Sequence, residues 1–400
     1  LDNVTGCALG GRMLAVMGGS GAGKTSLLDV LSFRARGQSG VKGDIHINGA
    51  PFTRRHFLRC AAYVEQEPVL WSSLTAQETL DYCAELHGRG LPAAQRRQFV
   101  AEIMECMGLM SCKGTRAGDM IRKGLSGGQK KRLCIAEGLV KRPSVLFLDE
   151  PTSALDSAAA HEVAKYLHGL AKLAHVIVVC TIHQPSHRTF ELFDDVLLLA
   201  NGRVAYGGPT HDILSHMLSL GAPALPTGMA LAEYIIEVTN ADFTDPSQVQ
   251  HILDSWQPSS LPQCPSGPSA PLRECRMRGA AVQWAILVRR KAAVTCRDPT
   301  LYVSRWVFAI LGNCIFASTY SGASVRDQDQ VLPRVWLLTW AFGAAMFVSV
   351  MVVALYDMER RIVDKEMRNS MYGSLAYLGA QTVIDIPCLL LFAAFCWLPG

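Results

Sequence analysis

Gly18-Gly19-Ser20-Gly21-Ala22-Gly23-Lys24-Thr25 decides how this chain is read. The octet fits the spacing G-x-x-x-x-G-K-[ST]. It stands between a short apolar run, Met13 to Met17, and a stretch from Lys24 to Phe33 that reads as a helix. Its glycines let backbone N–H groups turn inward onto phosphate oxygens, and the start of the following helix adds partial positive charge. On this reading Gly18 to Gly23, with Ser26, cradle a nucleoside triphosphate. Lys24 neutralises its β- and γ-phosphates, and the Thr25 hydroxyl is a Mg2+ ligand.

Further along, Val145 to Leu148, Val176 to Val179 and Val196 to Leu199 are continuous apolar runs, as expected of strands buried on both faces of a largely parallel sheet. Gly127 to Val140 and Ser157 to Leu173 are long enough to be crossover helices. The run at Val145 ends in Asp149 and Glu150. Asp149 suits Mg2+, directly or through water, and Glu150 is placed to polarise an attacking water.

The chain has 400 residues, enough for two domains; half are hydrophobic and only 18% are charged, fewer than an ordinary soluble domain carries. The apolar excess gathers in the last hundred or so residues. A net charge of +4, without a long basic run interleaved with aromatics, gives no reason to expect nucleic acid as a partner. The 13 cysteines form no C-x-x-C pair and no Cys/His cluster with metal-ligand spacing, and read as reduced structural residues.

Leu125-Ser126-Gly127-Gly128-Gln129 narrows the class, because it resembles the signature sequence of ATP-binding cassette proteins. Ser153-Ala154-Leu155-Asp156 resembles that family's D-loop, His183 its switch histidine, and Gln66, in Tyr63-Val64-Glu65-Gln66, its Q-loop glutamine. The resemblance implies an α/β P-loop NTPase, an ABC-type nucleotide-binding domain, followed by an all-α transmembrane domain. It also implies catalytic roles for Glu150, His183 and Gln66, nucleotide contacts from Leu125 to Gln129 and from Asp156, and Gln66 beside Thr25 and Asp149 on the metal. Such domains pair head to tail, so Ser126 of one chain faces ATP held by Lys24 of the other.

The order of parts, ATPase before membrane segments, is similar to the G subfamily, which includes half-transporters. Local matches are Leu74-Thr75-Ala76-Gln77-Glu78-Thr79-Leu80, Thr181-Ile182-His183-Gln184-Pro185-Ser186, Met358-Glu359-Arg360-Arg361 and Arg297-Asp298-Pro299. The chain departs from the subfamily at Met229 to Tyr234, where an Asn-Pro-Ala-Asp-Phe-like stretch is usual. The adenine-stacking aromatic would lie upstream of Leu1, and three of the usual six spans are found, so the chain is expected to be cut at both ends. ATP-driven transport is implied, with export of a lipid, sterol, pigment or apolar xenobiotic expected. The alternatives are a non-transport cassette ATPase or a regulatory ATP-binding subunit.

The domain reading is a nucleotide-binding domain over 1–240, a Pro/Ser-rich linker over 241–277 and the N-terminal part of a membrane domain over 278–400. The last contains an interfacial helix near 278–296 and spans near 301–320, 335–356 and 376–398. Asp385 within the third span is expected to face other helices or water, and Pro387 to break or kink it. Arg289, Arg290, Lys291, Arg297 and Arg305 precede the first span, while Arg360, Arg361, Lys365 and Arg368 lie between the second and third. Only Arg326 and Arg334 lie between the first and second, which makes the protein multi-pass with its ATPase domain cytosolic. The expected partners are the bilayer, a second identical or related half-transporter, and an apolar or lipid substrate. Asp357 to Arg368 is either a coupling segment, with Glu359, Arg360 and Glu366 as its salt-bridge members, or a solvated cytosolic loop.

Overall fold

Among the described residues eight strands form, the long central ones at apolar runs: β1 (Met13–Gly18), β2 (His46–Ile47), β3 (Ala50–Pro51), β4 (Ala61–Val64), β5 (Val145–Asp149), β6 (Ile177–Thr181), β7 (Asp195–Ala200) and β8 (Arg203–Pro209). They belong to a computed structural model that describes residues 1–35, 40–87, 92–119, 122–240, 243–257, 272, 274–275, 277–298, 300–319, 331–332, 334–336, 339 and 353–397. The chain divides into two units, Leu1–Leu70 with Thr75–Arg276, and Trp71–Leu74 with Met277–Gly400.

Six strands of the first unit make one sheet in the order β4-β5-β6-β1-β7-β8, parallel except for the β7–β8 pair. β1, β4, β5 and β7 are buried at every residue, which is why they lack the polar alternation of a half-solvated sheet. Leu28 of the helix Lys24–Leu31 and Phe57 of the helix Arg54–Cys60 pack with Phe147 and Val179 in one core. Truncating Phe147, 4% exposed with its ring 6.1 Å from that of Phe57, would cost about 3–5 kcal/mol. The register sets Val64 beside Leu148, Asp149 beside Thr181, and Val16 beside Thr181. The carboxyl ends of four parallel strands therefore line one edge, the usual place for a ligand in an open α/β sheet.

The stretch expected to be a linker contains a helix. Pro246–Ser255 is a helix, started by Pro246 at its first turn and by Asp245, whose carboxylate accepts from the Ser247 N–H at 2.9 Å. It is held to β8 by an ion pair of 2.9 Å between Arg203 and Asp254. Proline-rich composition hid a helix start, since proline is as much at home there as in a linker. Beyond it, the Cys275 N–H donates to the Arg59 carbonyl at 2.7 Å, within the first unit.

In the second unit Ala280–Arg297, Thr300–Thr319 and Ser374–Trp397 are helices, at the positions where an interfacial helix and the first and third spans are expected. The middle span, 335–356, lies mostly outside the described residues; its end, from Val353, runs into the helix Val353–Arg368. Among the described residues one helix segment, Ser374–Leu391, is long and apolar enough to cross a membrane. Its helix runs on through Pro387 instead of breaking there. Asp385 accepts from the Gln381 amide at 2.7 Å and the Tyr356 hydroxyl at 3.4 Å, so side chains of two helices meet that acid.

Two expected salt-bridge acids find partners on the helix Ala280–Arg297. Glu366 takes both forks of Arg290, at 2.8 and 2.7 Å, and Glu359 takes Lys291 at 2.8 and 2.9 Å. Arg360 pairs at 3.9 Å with Asp364, one turn away on its own helix, and stays exposed. Helical periodicity explains the difference: Glu359, Ile362, Val363 and Glu366 share the packed face, and Arg360 lies off it.

Candidate nucleotide site

The loop from Gly18 to Gly23 works only with glycine at its ends. Gly18 has φ +149° and a Cβ there would stand 2.2 Å from the Leu199 carbonyl oxygen; Gly23 has φ +100°. Around Gly19 and Gly21 a Cβ would meet nothing within 4 Å, so the space over the loop is open. Gly23 caps the helix Lys24–Leu31 without a side-chain bond, which leaves the first-turn N–H groups to an incoming anion. Lys24, 8% exposed, donates to the carbonyls of Gly18 at 2.9 Å and Gly19 at 2.8 Å. Burial lowers its pKa, opposed by the carboxylates of Glu150 and Asp149. Ser20, Thr25 and Ser26 are exposed at this edge.

Asp149 ends β5, 3% exposed, and is dressed in hydroxyls. Thr181 donates to it at 2.6 Å, Tyr63 at 3.3 Å and Thr25 at 3.4 Å. Burial, and then Asp149, push the Tyr63 phenol well up, so it stays a donor. The Thr181 hydroxyl also accepts the Glu150 N–H at 2.8 Å. The next residue turns the chain: Glu150 has φ +46°, and its carbonyl accepts the Ser153 hydroxyl at 2.8 Å. That left-handed backbone is costly for a non-glycine and is held by bonds on both sides of it. It sends the Glu150 carboxylate toward Gln66, whose amide donates to it at 2.7 Å.

His183 is exposed after β6 and lines, with Glu150, Ser153, Leu155 and Gln184, a cavity of about 370 Å3. Ala154 and Gln184 bordering this region also have positive φ, +60° and +44°. Asp156 caps the helix Ser157–Ala174 by accepting from the Ala159 N–H at 2.7 Å. Ser126 begins the helix Gly127–Val140 with a reciprocal cap, its hydroxyl accepting from Gln129 N–H at 3.2 Å while the Gln129 amide oxygen takes Ser126 N–H at 2.9 Å. Leu125 is buried behind it; Gly127 faces open space, and Gly128 lies against Leu155, where a Cβ would be 2.9 Å from the Leu155 methyl.

The structure thus gathers Lys24, Thr25, Gln66, Asp149 and Glu150 at one sheet edge. Ser126 to Gln129 make no hydrogen bond to the Gly18–Thr25 loop; their exposed helix start satisfies only itself. Gln66 bonds Glu150 rather than Asp149, through its amide nitrogen, so its carbonyl oxygen is the atom suited to a metal. Thr25, Gln66 and Asp149 offer hard oxygens, which fit Mg2+ better than a softer ion. Among the described residues no cluster of His, Cys, Asp or Glu has the makings of a separate metal site. Cys60, Cys83, Cys112, Cys134, Cys180 and Cys275 are buried and not joined in disulfides.

Sequence reasoning missed Tyr63, Thr181 and Lys131 as members of the site. Tyr63 and Thr181 stand within the very stretches that marked the Q-loop and the switch histidine. Lys131 carries no sequence signal, because a second lysine after a signature reads as a solvated face.

A chain that sets a phosphate loop, a strand-end acid pair and a serine-capped helix on this sheet is a cassette ATPase. Residues 1–153 match the ABC transporter family and residues 282–400 the ABC-2 type transporter family. The chain belongs to the ATP-binding cassette transporters, in the half-transporter order of the G family. It is 32% identical to ABC transporter G family member 7 of Arabidopsis thaliana, over 97% of this chain and 56% of that protein. It is also 32% identical to Protein scarlet of Drosophila melanogaster, over 100% of this chain and 64% of that protein. ABC transporter G family member 22 of Dictyostelium discoideum is 30% identical, over 96% and 65%. The chain therefore spans a little over half to about two thirds of these relatives.

Proposed function

We propose that this chain is the motor and the entry of the membrane domain of an ATP-driven transporter. The observation that carries the reading is the Gln66–Glu150 contact of 2.7 Å beside the buried Asp149, on a chain that continues into an ABC-2 type membrane domain. Glu150, fixed by its left-handed backbone, takes the proton of the attacking water. Gln66 orients it, and exposed His183 closes over the γ-phosphate from the β6 end. Lys24 changes partners from the Gly18 and Gly19 carbonyls to phosphate oxygens. Mg2+, held by Thr25, Asp149 and Gln66, would supply charge neutralisation between the β- and γ-phosphates.

The exposed start of the Ser126 helix serves a second chain's ATP, head to tail, while Asp156 steers its own loop toward the same interface. ATP favours the closed pair and hydrolysis removes that preference, which drives the cycle. The membrane domain is multi-pass, the ATPase cytosolic, and the segment Asp357–Arg368 carries the cycle into the spans. A lipid, sterol, pigment or apolar xenobiotic is the cargo class that the subfamily resemblance implies.

Glu150→Gln in full-length protein tests the reading: ATP turnover should fall by about a hundredfold or more while ATP binding persists. Undiminished turnover would remove Glu150 from its role.

A further inference from the structure

Lys131 is a charged side chain only 2% exposed, one turn inside the helix Gly127–Val140. Its ammonium has three N–H donors and finds three backbone carbonyls: Glu65 at 3.3 Å, Asp149 at 3.3 Å, and Gln66 in a short contact. These acceptors are not incidental. Gln66 and Glu150 are the two residues whose side chains meet beside the phosphate loop, and Lys131 grips the backbone of the first and of the residue before the second. An ion pair would leave it mobile between carboxylate oxygens, whereas three fixed carbonyls from two chain segments define one position.

The same helix begins at Ser126, exposed and capped by its own Gln129. At the ordinary helical rise, Ser126 and Lys131 are only about 7 Å apart along the axis. Gly128, between them, has its Cα against Leu155 of the D-loop. A single rigid turn and a half thus joins the helix start, which serves one nucleotide, to the carbonyls of Gln66 and Asp149, which serve another.

We propose that Lys131 is a positioning residue that makes the two ATP sites of the dimer read each other. The proposal rests on the head-to-tail reading above. When Gln66 and the Asp149–Glu150 strand end shift onto nucleotide, the carbonyls of Glu65, Gln66 and Asp149 carry Lys131 with them, and the start of the signature helix moves against the ATP of the second chain. Without the three bonds, each site still binds nucleotide but no longer reports it.

The experiment uses full-length protein in lipid nanodiscs, with ATP turnover measured as a function of ATP concentration and fluorescent trinitrophenyl-ATP as the binding probe. Wild type should respond cooperatively to ATP. Lys131→Met, of similar length and without donors, should keep probe affinity within about twofold. It should lose about a hundredfold in kcat, the scale set by misplacing a catalytic group, and give a Hill coefficient of 1. Lys131→Arg, which restores charge and donors, should recover part of both kcat and cooperativity. Should Lys131→Met not fold, Lys131→Gln, with an amide donor pair, reads the same split between kcat and binding.

Three results would overturn the proposal: a non-cooperative wild type, a Lys131→Met protein with full kcat and cooperativity, or loss of probe affinity in step with kcat and no recovery in Lys131→Arg. Glu150→Gln is run alongside, because turnover surviving that change defeats the ATPase reading itself and not the role of Lys131.

Discussion

Two buried carboxylates, one in each unit, are treated in opposite ways. Asp149 in the first unit, 3% exposed, is met by the neutral hydroxyls of Thr181, Tyr63 and Thr25. Glu366 in the second, 4% exposed, is met by the Arg290 guanidinium through two bonds, and also by the Tyr372 hydroxyl and the Trp71 indole N–H at 3.0 Å. Arg290 lies 5.0 Å over the Trp71 ring as well. The second carboxylate is neutralised within the protein and complete. The first has hydroxyls, not a guanidinium, as its side-chain hydrogen-bond donors, with the Lys24 and Lys131 ammonium groups near it, and its oxygens are what a cation brought with nucleotide would meet. A site waiting for a ligand and a structural pair differ in who supplies the countercharge.

Removing one partner of the complete pair should have the largest effect on stability. Arg290→Met strands Glu366 and should cost about 3–5 kcal/mol, whereas Arg290→Met with Glu366→Leu should recover most of it, measured by thermal unfolding in nanodiscs. If the single change cost no more than the double, the pair would not be structural. Asp149→Asn should do the reverse. It keeps the shape of the side chain and breaks no ion pair with a guanidinium, so stability should change by under about 1 kcal/mol while ATP turnover falls by about a hundredfold. Equal losses of stability at the two sites would dissolve the contrast.

A third kind of buried charge sharpens it further. Lys141 donates to backbone carbonyls, Leu58 at 2.9 Å and Ala61 at 2.6 Å, and burial lowers its pKa from 10.5 to about 8. The folded state sheds this proton first, so between pH 8 and 10.5 the unfolded chain holds the extra proton. Stability from this group therefore rises with pH through that window, by a few kcal/mol at most. Lys141→Met should flatten that slope relative to wild type in urea unfolding followed from pH 7 to 10; parallel slopes would mean the amine is not desolvated as the geometry implies. Smallest is Trp71→Phe, which deletes one N–H donor from Glu366 and should cost about 1 kcal/mol in thermal unfolding. A loss near that of Arg290→Met would give the indole a larger share of the pair than one bond explains.

Legibility divided along similar lines. The Gly18–Thr25 loop, Asp149, Glu150 and the capped start at Ser126 stood in the sequence because each depends on neighbours close along the chain. Glu359 and Glu366 were read as ion-pair members from charge pattern, but their partners, Lys291 and Arg290, were not named, since pairing across helices has no sequence spacing. Arg360, expected in the same set, also finds an acid, but on its own helix and in solvent, because it lies off the packed face. The helix Pro246–Ser255 was lost in composition, where proline at a helix start and proline in a linker look alike.

The sequence by itself determined the nucleotide chemistry and the order of the two domains, because a phosphate loop needs glycines at fixed steps and a membrane helix needs an unbroken apolar length. Only the tertiary structure decided which polar groups share a pocket. Parallel register set Asp149 against Thr181, and burial turned Lys131 from a surface lysine into a clasp on Gln66 and Asp149. Hydrogen bonds between strands far apart in the chain have no local signature; they exist only once the sheet is assembled.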